Sequence, residues 1–343
     1  MRPDVSAPSV SLPRLQGDAA AWPITLDDVL AARDRISPFL SPTPLRSYAQ
    51  LDALVSNGLE LFVKHENHQP TSSFKIRNGL SFMTALDAAE RARGVVAAST
   101  GNHGQGIATG ARLLGVSATI CVPAGNNPEK NAAMRALGAT VIEEGHDYDE
   151  SVTVMERIAR GEGRVVAHST NDRRVIAGAA TMTLEILEQE PRLDALVLAV
   201  GGGSQSVGAM TVARALAPHV AVYGVQAAGA SAIHDSWHAR ERRTTARADT
   251  FAEGVATRTP YELTFPSLLA GLAGFVTVTD AEIAENLRHI LSITHNLVEG
   301  AGAMGLAGTL KLRDRLAGKR VGIVFCGGNL DIATLRRILS REL

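Results

Sequence analysis

Short apolar runs alternate with amphipathic segments along most of this chain, beginning at about residue 95. The runs GVVAAST, SATICVPA and RVVAHS are typical of buried strands, and each is followed by a segment with helical spacing, such as NPEKNAAMRALG. The same pattern recurs at ALVLAVGGGS and at KRVGIVFCGGNL, near the end of the chain. Continuous apolar strands separated by helices predict an α/β fold with largely parallel sheets.

The composition narrows the range of functions. The formal net charge of the 343 residues is −1, which gives no electrostatic reason to expect binding to nucleic acid or to an anionic membrane. No apolar run is long enough to span a bilayer. Cys121 and Cys326 lie far apart without metal-ligand spacing, which favours a reducing, cytoplasmic location. We expect residues 1–22 to form a loose tail, because prolines are frequent there and no apolar core is present.

Glycine and polar residues cluster after three of the predicted strands. The clusters are STGNHGQG (99–106), GGGSQSVG (201–208) and CGGNLD (326–331). In an open α/β sheet, ligands bind beyond the carboxyl ends of the strands. The sequence therefore directs attention to these three segments.

The cluster GGGSQSVG has the features of an anion-binding turn. Its glycine amides can approach an anion closely, the following helix start favours negative charge, and Ser204 and Ser206 add hydroxyl donors. Neither the acidic ribose partner of a dinucleotide site nor the lysine of a nucleoside triphosphate loop is present. A simple phosphate ester fits, and a glycine turn that only packs a strand on a helix is the alternative.

The other two clusters offer partners for a carboxylate and for a heterocycle. Ser99, Thr100, Asn102 and the loop amides can hold a carboxylate or a ring hydroxyl, whereas His103 at a helix start is more often structural. Cys326 can meet a ring nitrogen, although a buried cysteine that only packs is the commoner case.

Lys75, in the stretch QPTSSFKIRNGL, is one of only five lysines in a chain whose other basic residues are arginine. Its neighbours Phe74 and Ile76 are apolar, and desolvation lowers the pKa of a lysine and makes its amine nucleophilic. Arginine cannot take this role. A nucleophilic lysine, a phosphate loop, a carboxylate loop and a partner for a ring nitrogen are together the parts of a pyridoxal phosphate site.

With these motifs the chain resembles the fold-type II pyridoxal-phosphate enzymes, in the branch of the serine/threonine dehydratases and serine racemases. The resemblance runs from about residue 25 to the end and is carried, in order, by KHENHQPTSSFKIRNG, STGNHGQG, HSTNDRRVIAGAATMTLEI, VGGGSQSVG, VEGAGA and CGGNLD. It implies a two-domain α/β fold like that of the tryptophan synthase β subunit, each domain having a mostly parallel sheet flanked by helices. Residues 23–84 and 168–343 would form a large domain, and residues 85–167 a small inserted one.

The resemblance also implies roles for individual residues. Lys75 would carry pyridoxal 5'-phosphate through a Schiff base and later move the α-proton, Ser73 would lie near the leaving group, and Thr100 would stand where racemases of the family place a second acid. The implied cofactor-binding residues are Phe74, Lys75, Asn102, Gly201, Gly202, Gly203, Ser204, Glu299 and Cys326. Those implied for the substrate carboxylate are Ser99, Thr100, Gly101, Asn102 and His103.

The function implied by the resemblance is an ammonia-lyase that converts a β-hydroxy-α-amino acid, similar to threonine or serine, to a 2-oxo acid and ammonia. The alternatives are an amino-acid racemase, a β-replacement enzyme, a dehydratase for 3-hydroxyaspartate, phenylserine or a hydroxyectoine-derived compound, and a catalytically silent binding protein. A small amino acid is the expected partner, in a homodimer or larger homo-oligomer.

Several positions depart from the family pattern. Ser72 and Asn78 replace glycines near Lys75, and Ser204 and Gln205 replace a glycine and a leucine in the phosphate loop. Serine racemase-like members bind a divalent cation through acidic residues. The matching stretch here has Gln226 in place of the glutamate and an alanine or a serine in place of the aspartate, so no metal is expected.

Overall fold

The computed structural model describes residues 21–343, apart from the side chain of Asp149, so the predicted tail lies almost wholly outside the described residues. The helices are α1 (Leu26–Ile36), α2 (Ala49–Val55), α3 (Lys75–Thr84), α4 (Ala88–Arg93), α5 (Asn102–Leu114), α6 (Pro128–Ala136), α7 (Tyr148–Glu162), α8 (Arg173–Gln189), α9 (Ser204–Leu216), α10 (Ala232–Ala239), α11 (Phe265–Gly271), α12 (Asp280–Thr294), α13 (Gly300–Leu312) and α14 (Ile332–Leu339). The strands are β1 (Leu45–Ser47), β2 (Glu60–Lys64), β3 (Val95–Ala98), β4 (Ala118–Val122), β5 (Thr140–Glu143), β6 (Val165–Val166), β7 (Ala195–Ala199), β8 (Ala221–Ala227), β9 (Gly274–Val278) and β10 (Arg320–Val324). None of these helices combines the length and the apolar character needed to cross a membrane.

The strands form two sheets. The six-stranded sheet has the order β1-β2-β10-β7-β8-β9 and is parallel except at its edge, where β1 pairs antiparallel with β2. The four-stranded sheet has the order β5-β4-β3-β6 and is parallel throughout. The predicted α/β fold with largely parallel sheets is therefore confirmed, whereas the exact domain limits stay a prediction.

Local sequence signals explain most of the element boundaries. Asp172, Asn127 and Asp147 each accept a hydrogen bond from the first-turn amides of the helix that follows. Helix α5 begins at Asn102, and the hydroxyl of Ser99 accepts from the amide of Gly104 in its first turn.

The start of helix α3 is fixed by close packing. A Cβ atom at Gly79 would lie 2.3 Å from the carbonyl of Gly106, and a Cβ atom at Gly106 would lie 2.5 Å from the carbonyl oxygen of Lys75. Real Cβ atoms do not make such short contacts, so α3 and α5 approach more closely than any larger residue would permit. Lys75, at the start of α3, is consequently held at a defined position against α5.

A buried network of two cations and two anions lies beneath the first turn of α3. The guanidinium of Arg77 donates to both carboxylate oxygens of Glu66 at 2.8 and 2.9 Å, and to both of Glu185 at 2.7 and 2.8 Å. The ammonium of Lys64 donates to Glu185 at 2.7 Å, and the hydroxyl of Thr43 donates to Glu66 at 2.6 Å. The network joins β2, α3 and α8, and opposite charges balance within it.

The network keeps the carboxylate of Glu66 ionised in spite of burial. Burial by itself raises the pKa of Glu66, but the charge and the hydrogen bonds of Arg77 outweigh it and leave the pKa lowered. Burial by itself lowers the pKa of Arg77, but Glu66 and Glu185 outweigh it and leave the pKa raised. Both Arg77 and Glu66 therefore stay charged.

We expect Arg77→Leu to lower the free energy of unfolding by about 3–5 kcal/mol, because it leaves two buried carboxylates without their main counter-ion. Urea denaturation followed by circular dichroism measures the change. The matched control is Arg33→Leu, which breaks the more exposed pair of Arg33 with Glu188 and should cost less than about 1 kcal/mol. Equal effects of the two substitutions would contradict the importance of the network.

Candidate active site

A cavity of about 350 Å³ opens where loops after strands of both sheets meet. The segments after β3, β7 and β10 all reach its wall, together with the start of α3. The predicted residues on the wall are Phe74, Lys75, Ser99, Thr100, Gly101, Asn102, His103, Gly201, Gly202, Gly203, Ser204, Glu299 and Cys326. The structure thus brings together every predicted site residue except Ser73 and Ser206, the second of which is fully buried on α9.

Lys75 is the first residue of α3 and lines the cavity. Its Nζ donates to the carbonyl of Ser169 at 3.3 Å and lies 5.1 Å from the ring centre of Phe74. Burial lowers the pKa of Lys75 to about 8, while Cys326 and Glu299 act in the opposite direction. A substantial fraction of the amine is therefore neutral near pH 8, as a nucleophile requires.

Ser73 does not line the cavity. It is fully buried, and its hydroxyl accepts from the backbone N–H of Lys75 at 3.3 Å. The neighbouring backbone is tied to the segment after β10, because the N–H of Phe74 donates to the carbonyl of Cys326 at 3.0 Å. Ser73 thus supports the start of α3, and Lys75 and Cys326 are held against one another.

Cys326 presents a neutral thiol to the cavity. Burial raises its pKa, and the nearby Glu299 raises it further, so the thiolate does not form at physiological pH. A neutral thiol can exchange a weak hydrogen bond with a heterocycle nitrogen, but it adds no charge there.

Asn102 is held by two side chains on the cavity wall. Its amide nitrogen donates to the carboxyl group of Glu299 at 2.8 and 3.0 Å, and its amide oxygen accepts from Asn329 at 2.7 Å. Burial raises the pKa of Glu299. Asn329 lies within the motif CGGNLD, which was visible in the sequence, but its contact with Asn102 could not be read from the sequence.

The loop predicted for a substrate carboxylate is ordered by its own hydrogen bonds. The hydroxyl of Ser99 accepts from the amides of Gly101 and Gly104 at 3.1 and 2.9 Å, and the side chain of Asn126 donates to the carbonyl of Thr100 at 3.1 Å. These contacts fix the loop, so that the remaining donors at the start of α5 can face the cavity.

The side chain of His103 is hydrogen-bonded to the backbone and does not donate to a carboxylate. Its Nε2 lies 2.8 Å from the carbonyl of Ala167, an acceptor that requires the hydrogen to be on Nε2. Burial lowers the pKa of His103 to about 3, so Nδ1 carries no hydrogen at neutral pH. Any contribution of His103 to carboxylate binding would therefore come from its backbone amide.

The glycine loop after β7 has the geometry of an anion cradle. Gly203 adopts a left-handed backbone with φ 97° and precedes α9 without a side chain that could cap it. A Cβ atom at Gly202 would lie 2.2 Å from the hydroxyl of Thr170, so only glycine fits against this wall. The loop amides and the start of α9 can therefore surround a phosphate.

Other residues of the wall carried no recognisable signal in the sequence. Lys130 on α6 pairs with Glu253 at 2.5 Å, and both residues line the cavity. Tyr148, Ser169 and Tyr261 form a separate stretch of the wall. Ser169 belongs to the quoted motif HSTNDRRVIAGAATMTLEI and Lys130 to the quoted helical segment NPEKNAAMRALG, but neither was predicted to lie in the site, and only the fold brings these residues to the cavity.

The region matched to the cation site of serine racemases is occupied by protein contacts. The amide oxygen of Gln226 accepts from the N–H of His234 in the first turn of α10 at 2.8 Å, and Asp235 contacts Ser231 and His234. Among the described residues, no group of three or more His, Cys, Asp or Glu side chains could hold a metal ion. Independence of a metal stays a prediction.

Comparison with known proteins decides the family. The family described as "Pyridoxal-phosphate dependent enzyme" matches residues 36–327. The chain belongs to this family. The resemblance to fold-type II enzymes is thereby confirmed, and pyridoxal phosphate is the cofactor.

Individual relatives identify the branch of the family. The chain is 37% identical over 320 residues to the L-threonine ammonia-lyase of Thermotoga maritima. The aligned residues cover 93% of this chain and 79% of that protein. It is 35% identical over 316 residues to the L-threo-3-hydroxyaspartate ammonia-lyase of a Pseudomonas species, with coverages of 91% and 98%. The structure of maize serine racemase superposes with a TM-score of 0.88 at 29% identity, with coverages of 94% and 98%. The protein is a pyridoxal-phosphate-dependent lyase.

The residues of the cavity fit this cofactor. The loop from Gly201 to Gly203 suits its phosphate, the partly neutral amine of Lys75 suits its aldehyde, and the thiol of Cys326 suits its ring nitrogen. The individual roles stay proposals.

Replacement of Lys75 by arginine should abolish covalent attachment of the cofactor, because a guanidinium stays protonated. The measurement is the mass of the intact protein after incubation with pyridoxal phosphate and reduction with borohydride. Lys319→Arg, a change of the same kind at another lysine, is the control and should retain the added mass. A retained adduct in the Lys75 variant would show that another lysine is the anchor.

The lowered pKa of Lys75 predicts a pH dependence for cofactor uptake. The amine must be neutral to attack an aldehyde, so uptake by the cofactor-free protein should accelerate up to about pH 8 and level off above it. Below pH 8 the rate should fall by about tenfold per pH unit, as for any single titrating amine. Stopped-flow absorbance from pH 6 to 10 tests this, and a rise that continues to pH 10 would contradict the lowered pKa.

Proposed function

We propose that this enzyme converts a small β-hydroxy-α-amino acid with an uncharged side chain, such as threonine or serine, to a 2-oxo acid and ammonia. The observation that carries the proposal is the pairing of a nucleophilic lysine, Lys75, with a neutral thiol, Cys326, in one cavity. The ammonia-lyases among its relatives support the reaction class.

When bound, pyridoxal phosphate supplies an electron sink for negative charge at the α-carbon. Lys75 takes the proton from that carbon, since its amine is partly neutral and the residue lines the cavity. Cys326 offers no carboxylate that would keep a ring nitrogen protonated. Negative charge at the α-carbon is therefore short-lived, which favours loss of the β-hydroxyl over transamination.

The loop from Ser99 to His103 holds the α-carboxylate of the substrate in this proposal. Its hydroxyl and amide donors lie at the start of α5, where the helix dipole favours an anion. Because the loop is rigidified by Ser99 and Asn126, the α-carbon is presented to Lys75 in one orientation.

The charge of the cavity wall favours an uncharged side chain. Apart from Lys75, the only Lys or Arg among the described lining residues is Lys130, and Glu253 already neutralises it. The wall near Ser169 consists of neutral polar groups, Tyr148 and Tyr261 among them. A second carboxylate, as in 3-hydroxyaspartate, would be buried without an unpaired cation and is disfavoured.

Racemisation is the second candidate activity, because Thr100 lies on the cavity wall and maize serine racemase has a similar structure. It would require a hydroxyl that returns a proton to the face opposite Lys75. A homodimer or larger homo-oligomer and a cytoplasmic location stay predictions from the sequence.

A substrate panel tests the proposal. With holoenzyme, we expect 2-oxo acid and ammonia in equal amounts from L-threonine or L-serine, with kcat/KM about 10- to 100-fold higher than for 3-hydroxyaspartate, the penalty of one unpaired charge. Lys75→Ala is the control for background elimination. Highest efficiency on 3-hydroxyaspartate would contradict the substrate class, and formation of D-amino acid without 2-oxo acid would favour the racemase.

A further inference from the structure

Two hydroxyl groups lie side by side on the part of the wall that includes Ser169, a hydrogen-bond partner of the Lys75 amine. The phenol oxygen of Tyr148 is 3.2 Å from the hydroxyl oxygen of Ser169, and the carbonyl of the same Ser169 accepts from Nζ of Lys75 at 3.3 Å. Both side chains line the cavity. The reaction described so far uses neither of them.

The segment that carries Ser169 also reaches the phosphate loop. Thr170, the next residue, packs so closely on Gly202 that no Cβ atom fits between them. The hydroxyl of Ser169 therefore lies on a stretch of backbone that runs from the Lys75 amine to the phosphate loop. Because Ser169 lies between these two groups, we expect the β-substituent of a substrate whose α-carbon is near Lys75 to face this wall.

We propose that Tyr148 donates a hydrogen bond to the β-oxygen of the substrate, and that Ser169 is the positioning residue that orients the phenol. This inference rests on the proposed function and names a residue that recognises the leaving hydroxyl of the substrate. It assigns no proton transfer to Tyr148.

The chemistry of the two groups suits these roles. Burial raises the pKa of Tyr148, so the phenol keeps its hydrogen. When the hydroxyl of Ser169 donates to the phenol oxygen, the phenol hydrogen is free for the substrate. Negative charge develops on the β-oxygen as its bond to carbon breaks, and a donor already in place stabilises that charge.

Tyr261 provides a matched control. It lines the same cavity, and its ring lies edge-on against that of His168 at 5.2 Å between centres. It is a second phenol in the same wall for which the structure gives no hydrogen bond to Ser169.

The test compares two substrates that differ only in the leaving group. L-Serine must lose a hydroxyl, 3-chloro-L-alanine loses chloride without a hydrogen bond from a phenol, and both give pyruvate. Tyr148→Phe should lower kcat/KM for L-serine by about 100-fold, the effect of removing one donor from a developing charge, and should change the value for 3-chloro-L-alanine little. Ser169→Ala should shift the ratio of the two values in the same direction, but less.

Binding provides a readout independent of turnover. L-Alanine lacks the β-oxygen, so its dissociation constant, from the change in cofactor absorbance, should be the same in Tyr148→Phe and in the wild type. Equal losses with both substrates, or weakened binding of L-alanine, would overturn the proposal and leave Tyr148 as a wall residue. A shifted ratio in Tyr261→Phe alone would assign the contact to the other phenol and also overturn it. Failure of the wild type to form pyruvate from either substrate would instead contradict the proposed function.

Discussion

The position of the reactive lysine depends on the buried ion network beneath it. Arg77 lies two residues after Lys75, and it is held between the carboxylates of Glu66 on one side and Glu185 on the other. Each of these groups would be unfavourable alone in an apolar interior, but together they balance their charges and fill nearly all of their hydrogen-bonding capacity. Because the network joins β2, α3 and α8, the start of α3 cannot move without exposing an unpaired charge. The glycine contact between α3 and α5 then fixes its distance from the carboxylate loop.

In the cavity itself, burial has the opposite effect on protonation and favours neutral forms. Four of the titratable groups there lack a strong partner of opposite charge, and burial shifts them toward their neutral forms. The pKa of Lys75 falls to about 8 and that of His103 to about 3, while those of Cys326 and Glu299 rise. Buried groups thus stay charged where they have partners of opposite charge, as in the network around Arg77. Where such partners are missing, as at Lys75 and Cys326, burial favours the neutral form. A weakly charged site leaves the cofactor and the substrate as the main charged groups within it.

The sequence predicted those parts of the fold and the site that depend on local pattern. Apolar strands followed by glycine and polar residues identified the loops at Ser99, Gly201 and Cys326, because ligands bind beyond the carboxyl ends of parallel strands, and such ends of both sheets reach the cavity. The sequence did not reveal residues that reach the cavity by the packing of distant elements, such as Tyr148 at the start of α7 and Lys130 on α6. It also placed Ser73 in the site, whereas its side chain is buried under Lys75, since alternation around a tight turn is not visible in a pattern of residue types.

One departure from the family pattern acquires a physical meaning only from the structure. Ser72 replaces a glycine and adopts a left-handed backbone with φ 52°, a conformation that costs a residue with a side chain about 1–2 kcal/mol. The strain is held by the bridge in which the N–H of Gly328 donates to the carbonyl of Ser72 at 2.8 Å.

At Gln226, the replacement of a glutamate by a glutamine removes a buried negative charge. A buried carboxylate at this position would need a cation beside it, but the neutral amide of Gln226 does not, and its oxygen accepts from the first turn of α10. This hydrogen bond ties the start of α10 to β8, and independence of a metal at this loop stays a prediction.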